Sequence, residues 1–596
     1  MKKVILIILL WIGATIHLQS QNNNKISEHC RNKIDSTYVA LIKKYKVVGM
    51  SIAIVDKGEI IYSTGFGYSD KKKKLLANDK TIYRIGSCTK SFTALSLLQL
   101  QEKGLVDIKH SVKEYLPELH IKSRFNDANE IYVNDMLAHV SGLPCDITNG
   151  FFCDAPPSQG WEIRELNKQQ TISPLRYKHA YSNVAYGLLG EVIARQSNSS
   201  YAKYLQQHVF NPLNMTSSFL EYSDKWASDF SKAYVENKLI KEPLIRDQAA
   251  GLIHSNVLDM SNYLLMYLNK GSFNQQQIVS AASYNEMSKN QLEDIYLYNG
   301  ESWGYGLYSK KMICKQDKDS TVVNLIGHGG DTYAFHADFG FIPELNVGAV
   351  ILTNTDNGMK INAVSKLLKI YLKETYSKNL NVDFVDDHLV NKAKLKEQYC
   401  SKNERKGTYN MGQFLIRAKN PSLIKFKQGP AKIVLKQKKN DSSNYNIKAV
   451  LFGFIPFKVK GQELKFVKRD QDVYLKGVST KDKEEDYIAI KSQSKTISES
   501  WKKAIGQYDT ESRVYECTNC PYMNPLGLTM NLKIKKGYLV LQTKGKSSDM
   551  SSSTFLEVVS DSVSVTGGIG RGTGETVSLL NNGNIYYSGF EFKKKP

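Results

Sequence analysis

The chain has 596 residues, of which 41% are hydrophobic and 10% aromatic, with 14 prolines. This composition is that of a globular protein and excludes a long disordered chain, and the length predicts two to four domains at roughly 150 residues each. The formal net charge of +22 is compatible with nucleic-acid binding, but the lysines are spread along the whole chain rather than clustered, so we expect no nucleic-acid partner.

Residues 1–20 have the pattern of a secretory signal peptide. Lys2 and Lys3 precede an apolar run over 4–16, which ends in the polar exit 19–21. The run is too short for a comfortable membrane span, and the first cysteine, Cys30, lies well past the cleavage region. We therefore expect an exported protein, periplasmic or secreted, with no integral membrane segment after signal cleavage.

Eight cysteines in an exported chain permit disulfides, but their spacing does not fix a pairing. Cys145 and Cys153 are candidates for a disulfide that closes a loop. Cys517 and Cys520 form a single Cys-x-x-Cys without the second pair of a zinc ribbon, so we expect no metal. Cys88 is expected to be reduced and buried because it lies between two candidate catalytic residues.

The first predicted elements are a β-hairpin and a helix. Residues 51–55 and 59–63 are rich in β-branched side chains and flank the turn Asp-Lys-Gly at 56–58. Residues 91–103 are mostly good helix formers, and Gly104 stands where a helix C-cap is expected. This helix begins directly after the tetrapeptide Ser-Cys-Thr-Lys at 87–90.

Ser87 is a candidate nucleophile, and Lys90 is its candidate base. Residues three apart lie on one helix face, and the positive end of the helix dipole favours a developing alkoxide. A desolvated lysine with a lowered pKa is one of the few side chains that can activate a serine hydroxyl. Taken alone, the tetrapeptide is equally explained by a serine N-cap.

Residues 181–183, Tyr-Ser-Asn, form a second candidate cluster at the start of a predicted helix over 184–194. A phenol next to a cationic amine can be partly ionised and can then serve as a base or a proton donor, which is the role suggested for Tyr181. Asn183 offers an amide that can orient a substrate carbonyl or the Lys90 amine. An asparagine cap beside a packed tyrosine is the simpler alternative.

A short acidic turn followed by a helix is predicted over 105–118, and a helix that ends in a Gly/Pro loop over 135–144. Further helices are predicted over 250–265 and 363–376, and a hairpin of buried strands over 337–354. His139 lies near the end of one of these helices, where a structural role is favoured. Before the hairpin comes Gly-His-Gly-Gly-Asp at 327–331. Its glycines leave the backbone open to close approach, and an edge strand here would direct N–H groups into a cleft. His328 could donate a hydrogen bond to a bound carboxylate or to Tyr181.

Together, Ser-x-x-Lys at 87–90, Tyr-x-Asn at 181–183 and His-Gly-Gly at 328–330 resemble the three motifs of the serine β-lactamase and penicillin-binding-protein superfamily. More narrowly, they resemble the class C-like hydrolases, which include D-aminopeptidases, D,D-carboxypeptidases and esterases. The resemblance covers about 35–375, including His-Val-Ser-Gly-Leu-Pro at 139–144. It implies an α/β (α+β) fold, an antiparallel sheet flanked by helices with a helical subdomain beside it.

The resemblance also implies roles for the site residues. Lys90 and Tyr181 would activate Ser87 to form an acyl-enzyme, which water then releases with Tyr181 as its activator. The N–H groups of Ser87 and Asp331 would form the oxyanion hole. No cofactor is implied, and the partner would be a small-molecule or peptide substrate, for example one derived from the cell wall. The residues expected to bind substrate are Asn183, His328, Gly329, Gly330 and Asp331.

Two departures from the family pattern matter. His328 stands where true β-lactamases and many D,D-peptidases have lysine, which favours the esterase or peptidase branches. Residues 250–253 read Ala-Gly-Leu-Ile instead of Ala-Gly-Gly-Leu, a change expected to touch no catalytic atom. A true β-lactamase and a catalytically silent cell-wall or penicillin-binding protein remain the alternatives to a peptidase or esterase.

Beyond about residue 379 the pattern changes to short strands in which lysine alternates with apolar residues. We predict a signal peptide at 1–20, a hydrolase domain at 21–378, a linker at 379–400 and an all-β region at 401–596. This region should contain one or two small barrels or sandwiches, duplicated if the weak echo between 406–410 and 505–509 is real.

Overall fold

The structure is a computed structural model that describes residues 25–125, 130–153, 160–297, 302–316, 319–361, 363–376, 380–384, 397–428, 431–438, 444–451, 455–479, 485–510, 529–544, 551–569 and 571–596. The predicted signal peptide, Cys517 and Cys520 lie outside the described residues, as does most of the predicted linker. Among the described residues, no helix combines the length and the hydropathy needed to cross a membrane.

A nine-stranded antiparallel sheet, called here the main sheet, organises the first part of the chain. Its N-terminal hairpin pairs with a strand from much later in the sequence, with Met50 opposite Thr353, so both ends of this region meet in one sheet. In spatial order the strands are Ser302–Trp303, Tyr308–Gln316, Asp319–Asp331, His336–Ile342, Val347–Thr353, Gly49–Asp56, Glu59–Asp70 and Leu75–Leu76, with Leu380–Phe384 paired to Tyr308–Gln316.

Helices cover both faces of the main sheet. The terminal helices Glu28–Tyr45 and Val364–Tyr376 pack on one face around a core of their own. The other face packs against Thr89–Glu102, called here the serine helix, and against Val257–Leu268. All side chains of the serine helix from Thr89 to Leu100 are buried, which fixes the position of its first turn relative to the sheet.

The remaining helices form the subdomain beside the sheet, together with short hairpins. The α-helices are Val133–Leu137, Trp161–Leu166, Asn183–Gln196, Tyr201–Leu205, Gln248–Gly251 and Ala281–Ser288, with a π-helical turn at Gln206–Phe210. The 3₁₀ turns are Gly86–Cys88, Val112–Glu114, Asp224–Trp226, Pro343–Leu345 and Gly358–Lys360. The short strands pair as Tyr83–Arg84 with His254–Ser255, Phe152–Cys153 with Leu244–Ile245, Ala233–Val235 with Lys238–Ile240, and Ser272–Phe273 with Gln276–Gln277.

Three predicted helices were wrong in extent. The helix expected in the second part of 105–118 is only the 3₁₀ turn Val112–Glu114, and the helix expected before the Gly/Pro loop of 135–144 is the single turn Val133–Leu137, which is followed by His139 at φ +60°. The helix over 250–265 is interrupted by the strand His254–Ser255. A new helix then starts because the Asn256 side chain accepts a hydrogen bond from the Asp259 N–H, which makes it an N-cap.

The C-terminal region is all-β, as predicted. It contains a nine-stranded antiparallel sheet, called here the second sheet, and a closed eight-stranded antiparallel barrel. The second sheet consists of Gln398–Tyr399, Gly407–Asn410, Leu415–Ala418, Leu423–Gln428, Ala431–Gln437, Asn444–Leu451, Ile455–Arg469, Asp472–Ser479 and Glu485–Lys491. The barrel follows the short helix Glu499–Lys503 and consists of Gly506–Thr510, Thr529–Lys535, Tyr538–Lys544, Ser551–Val558, Val563–Thr566, Thr576–Leu579, Ile585–Tyr587 and Phe590–Lys594.

The two modules start with the same local structure. Gly407 and Gly506 have φ of +146° and +152°, and a Cβ at either would lie 2.6 or 2.9 Å from a lysine side chain in the last strand of its own module. Tyr409 and Tyr508 each donate a hydrogen bond to the carbonyl four residues earlier. The weak sequence echo therefore corresponds to a repeated structural motif.

Candidate active site

Ser87 lies in the 3₁₀ turn Gly86–Cys88, which leads directly into the serine helix. Gly86 has φ of +51°, a conformation that costs glycine little and other residues more. Ser87 is half-buried, whereas Lys90 is fully buried beneath it. Cys88 is a buried free thiol, as predicted, and its Sγ donates to the His328 carbonyl at 3.2 Å.

The Lys90 amine makes three hydrogen bonds that aim it at the serine. Its Nζ is 3.1 Å from Ser87 Oγ, 2.7 Å from Asn183 Oδ1 and 2.8 Å from the carbonyl oxygen of Ala250. Burial, together with the nearby positive charge of Arg571, lowers the pKa of Lys90 to about 7. A large fraction of the amine is therefore neutral at neutral pH and able to accept a proton.

The Ala250 contact corrects one expectation. The segment 250–253, which departs from the family phrase, was expected to touch no catalytic atom, yet the Ala250 carbonyl binds the candidate base. The contact uses a backbone oxygen, so the side-chain pattern gave no sign of it.

Tyr181 lies beside the serine and the lysine. Lys90 Nζ is 4.8 Å from the centre of the Tyr181 ring. Burial raises the pKa of Tyr181 above its ordinary value, while a hydrogen bond with Ser87 offsets part of that shift. The prediction that the phenol would be partly ionised was therefore wrong, because desolvation disfavours the phenolate more than the neighbouring amine favours it.

His139 packs against Tyr181 and hydrogen-bonds the backbone next to it. Its Nδ1 accepts a hydrogen bond from the Ser182 N–H at 3.1 Å, and its ring centre is 4.3 Å from that of Tyr181. Burial lowers the pKa of His139 well below its ordinary value. The imidazole is thus a neutral structural group, which agrees with the role favoured from the sequence.

The third motif lies against the serine turn. The last pair with the neighbouring strand on one side is Tyr308 with Gly327, so residues 328–331 extend past it as an edge segment, as the sequence suggested. A Cβ on Gly330 would lie 1.9 Å from the Ile85 carbonyl oxygen and 3.0 Å from the Ser87 nitrogen. Because Gly330 has no side chain, the turn that carries Ser87 can pack directly against it. The N–H groups of Ser87 and Asp331 therefore lie on adjoining backbone segments.

His328 adds no positive charge to the site. Burial lowers its pKa to about 3, and Nδ1 is hydrogen-bonded to the Gly329 carbonyl. Its ring centre is 6.1 Å from that of Tyr181. Unlike Gly330, Gly329 has free space at its Cβ position, where the nearest atom would be 3.9 Å away.

Two residues near the centre were missed by the sequence analysis, Asp146 and Arg571. Asn183 Nδ2 donates to Asp146 Oδ1 at 2.7 Å, and Arg571 Nη2 donates to Asp146 Oδ2 at 2.7 Å. Since Lys90 occupies Asn183 Oδ1, both ends of this amide are engaged, and Asn183 orients the base rather than pointing into open space. The Arg571 guanidinium carbon is 5.1 Å from the centre of the Tyr181 ring.

Arg571 belongs to the barrel, on the segment between the strands Val563–Thr566 and Thr576–Leu579. Residues 566–574 read Thr-Gly-Gly-Ile-Gly-Arg-Gly-Thr-Gly. A run so rich in glycine is a signal for close backbone approach that could have drawn attention to the segment. Nothing in the sequence indicates which surface it approaches.

Residues 571–575, called here the barrel loop, are held by buried bonds against the region that carries Ser87 and Tyr181. The Gly572 N–H contacts Cys145 Sγ at 3.4 Å, and the Cys145 N–H donates to Glu575 Oε1 at 2.9 Å. Lys178 Nζ donates to Thr573 Oγ1 at 2.7 Å. Cys145 is a free thiol, so the candidate disulfide with Cys153 was wrong.

Comparison with known proteins identifies relatives of the first part of the chain. The Beta-lactamase family model matches residues 34–369, more than half of the chain. Protein flp of Staphylococcus aureus (strain N315) is 26% identical over 343 residues, which are 56% of this chain and 65% of that protein. Beta-lactamase-like protein 2 of Dictyostelium discoideum is 27% identical over 311 residues, 48% of this chain and 53% of that protein. The chain thus spans less than two thirds of the length of these relatives.

A solved structure resembles a larger part of the chain. It is the octameric penicillin-binding protein homologue from Pyrococcus abyssi, which is 23% identical with a TM-score of 0.50 and covers 77% of this chain and 99% of that one. At this identity the likeness concerns the fold. Its coverage extends beyond the residues that the family model matches, into the all-β region.

Proposed function

The chain belongs to the Beta-lactamase family, and from that premise we propose that it is an exported serine hydrolase that forms an acyl-enzyme on Ser87 with an amide or ester substrate, as a peptidase or esterase does. The observation that carries the proposal is the position of the Lys90 amine, 3.1 Å from Ser87 Oγ with a pKa near 7. An amine so placed is a general base poised at neutral pH.

In the acylation step, neutral Lys90 takes the proton of Ser87 while Oγ attacks the substrate carbonyl carbon. The negative charge that develops on the carbonyl oxygen is stabilised by the N–H groups of Ser87 and Asp331, and each such donor is worth about 3 kcal/mol in other hydrolases. Collapse of the tetrahedral intermediate breaks the bond to the leaving group. The acyl group then remains on Ser87.

Tyr181 is suited to protonate the leaving amine or alcohol, because burial keeps a proton on its phenol. The proton that Lys90 took from Ser87 then passes to the phenol oxygen, which returns both Lys90 and Tyr181 to their starting protonation states. In deacylation, water attacks the acyl carbon and its proton passes to neutral Lys90 or, through the phenol, to the same amine. The bond from the acyl carbon to Ser87 Oγ then breaks, and Oγ takes the proton back from Lys90, which releases the acid product and restores the free serine. Lys90, rather than the protonated Tyr181 expected from the resemblance, is therefore the base that activates this water.

True β-lactamase activity is the second candidate. The observation in its favour is the Arg571 guanidinium, which places a positive charge 5.1 Å from the Tyr181 ring although the third motif lacks lysine. A catalytically silent cell-wall or penicillin-binding protein is the third candidate. The aligned amine argues against it, because a silent site has no need of a desolvated base.

An activity panel on the purified protein tests the proposal. It comprises a short-chain p-nitrophenyl ester, a D-amino-acid amide and a chromogenic cephalosporin, each measured with Ser87→Ala and with Ser36→Ala as the control. Ser36 is exposed on the helix Glu28–Tyr45, far along the chain from the site. Turnover that is lost only with Ser87→Ala supports the hydrolase, and turnover of the cephalosporin alone would favour the β-lactamase instead.

Export is a separate part of the proposal, supported by the residue pattern at 1–20. Expression of the full chain in a bacterium, followed by fractionation and sequencing of the mature N-terminus, tests it. A processed N-terminus near residue 21 in the exported fraction is expected. Unprocessed protein confined to the cytoplasm would contradict it.

A further inference from the structure

The third motif contributes no positive charge to the site. His328 is neutral at physiological pH because burial lowers its pKa to about 3. Asp331, the acidic residue of the same motif, is bonded through Oδ1 to His336 Nδ1 at 2.5 Å. The edge strand beside Ser87 therefore supplies backbone N–H groups but no cation to recognise a charged substrate.

Arg571 supplies the missing charge from another part of the chain. Its guanidinium lies over the Tyr181 ring at 5.1 Å, and Tyr181 in turn hydrogen-bonds Ser87. Half of the Arg571 side chain is exposed, at 51%. A guanidinium carries five N–H donors in a planar fork, and its bond to Asp146 Oδ2 uses one of them. Donors thus remain for a ligand that approaches the serine.

The barrel loop is built to hold this arginine in place. A Cβ on Gly574 would lie 2.3 Å from the Ile172 carbonyl oxygen, so the loop backbone is in close contact with the hydrolase region. Arg124 Nη2 donates to the carbonyl oxygens of Ile172 at 3.1 Å and of Gly574 at 3.0 Å. Because both the backbone and the side chains of this loop are held in place, Arg571 loses little conformational entropy when it binds a ligand.

We propose that Arg571, carried to the active site by the barrel, binds a carboxylate of the substrate, so that the preferred substrates are amides or esters bearing a free carboxylate close to the scissile carbonyl. A carboxylate has two oxygens that match the guanidinium fork, and it is the anion that a substrate with an amide or ester bond can carry next to the scissile carbonyl. This inference rests on the proposed serine hydrolase function. It assigns specificity to a segment outside residues 34–369, the part that the family model matches.

Matched substrate pairs test the proposal. One pair is mono-p-nitrophenyl adipate and p-nitrophenyl hexanoate, which differ in a carboxylate on the acyl side. The other is an acyl-D-alanyl-D-alanine and its C-terminal amide, which differ on the leaving-group side. The rates are compared at pH 9, above the titration of Lys90, so that a change in the pKa of the base does not disguise a change in recognition.

Arg571→Ala should lower kcat/KM for the carboxylate-bearing member of one pair about 10- to 100-fold, which is the usual range for a lost charge-assisted hydrogen bond, and leave its neutral partner nearly unchanged. Arg571→Lys, which keeps the charge but not the fork, should fall between the two. Arg417→Ala, a change of an arginine in the second sheet, is the charge-matched control and should affect neither member. Equal losses on the charged and neutral members of both pairs would overturn the proposal.

A binding measurement separates this inference from the hydrolase function. Boronic acids add reversibly to a nucleophilic serine, so calorimetry with 3-carboxyphenylboronic acid and phenylboronic acid needs no turnover. The carboxylated probe should bind the wild type more tightly, and Arg571→Ala should abolish the difference. Equal affinity of the two probes, or no binding of either, overturns the inference, whereas loss of hydrolysis with retained selective binding would count against the proposed function alone.

Discussion

The chemical centre and the barrel loop differ in how each is built. Lys90 is fully buried, and the serine, its base and Tyr181 come from two helix starts in the region that the family model matches. Arg571 is half exposed and comes from the barrel, more than 400 residues away in the chain from Asp146, its partner. In the proposed function, reactivity depends on desolvation, whereas recognition depends on a charge that stays accessible to the ligand.

Removal of the base should produce the largest effect. Lys90→Met should lower kcat about 1000-fold, because general base catalysis contributes 10²- to 10⁴-fold and Lys90 is the amine that hydrogen-bonds Ser87. Steady-state kinetics on the best substrate of the panel measure it. Lys103→Met, an exposed lysine just after the same helix, is the control and should keep full activity.

Retention of activity within about 5-fold in Lys90→Met would mean that the serine is activated in another way. The difference between the buried centre and the exposed loop would then lose its basis, because desolvation of Lys90 would have no catalytic consequence.

The pH dependence of kcat/KM should show that charges at the barrel loop affect the base in the buried centre. Lys90 must be neutral to accept the serine proton, so kcat/KM should rise with pH through about 7. The positive charge of Arg571 lowers the pKa of Lys90 and the negative charge of Asp146 raises it. Arg571→Ala should therefore move the acidic limb to higher pH, and Asp146→Asn should move it to lower pH.

The profiles are measured on a neutral ester so that substrate charge does not enter. Shifts of the same sign in both variants would show that structural damage, rather than charge, is responsible. An unmoved limb in both would place the barrel loop too far from Lys90 to matter.

Weaker docking of the barrel loop should have a moderate effect. Arg124→Gln removes donors to three backbone carbonyl oxygens, including that of Gly574, and should destabilise this interface by about 1–2 kcal/mol. Selectivity for the carboxylated substrate should fall, although by less than in Arg571→Ala. Thermal unfolding and the matched ester pair measure the two effects, and unchanged selectivity together with a lowered Tm would mean that the loop keeps its position without this anchor.

A substitution at the contact with the second sheet should have the smallest effect, in contrast to substitutions at the barrel loop. Tyr177 hydrogen-bonds Tyr474 of that sheet at 2.6 Å, at a contact that involves no residue of the catalytic centre. Tyr177→Phe should cost about 1 kcal/mol or less in stability and leave kcat/KM and selectivity unchanged. A loss of selectivity in this variant would show that both C-terminal modules, and not the barrel alone, control the site.

The sequence predicted those parts of the site that depend on local spacing. Ser87 and Lys90 are three residues apart at a helix start, and Tyr181 and Asn183 stand at another, so local rules were sufficient to select them. The short strands of the C-terminal region were also expected, as the strand Leu423–Gln428 illustrates, because alternation of lysine with apolar residues marks a half-buried strand.

The parts that were missed depend on tertiary contacts. Asp146 and Arg571 meet only because the barrel docks against the region that the family model matches, and the Ala250 contact uses a carbonyl that every residue has. The ionisation of Tyr181 was misjudged for a related reason, since burial is a property of the packed site and has no local signature. The overextended helix at 250–265 ignored Asn256, whose N-cap could have been recognised from residue type.

The central claim is that Ser87 carries the acyl group, and it is tested most directly by trapping that intermediate. The protein is mixed with a p-nitrophenyl ester, quenched in acid within the burst of p-nitrophenol release, and examined by intact-mass spectrometry and peptide mapping. The account predicts a burst of about one equivalent and an added acyl mass on the peptide that contains Ser87, both absent in Ser87→Ala. An acyl group on another residue, or hydrolysis that continues in Ser87→Ala, would contradict it.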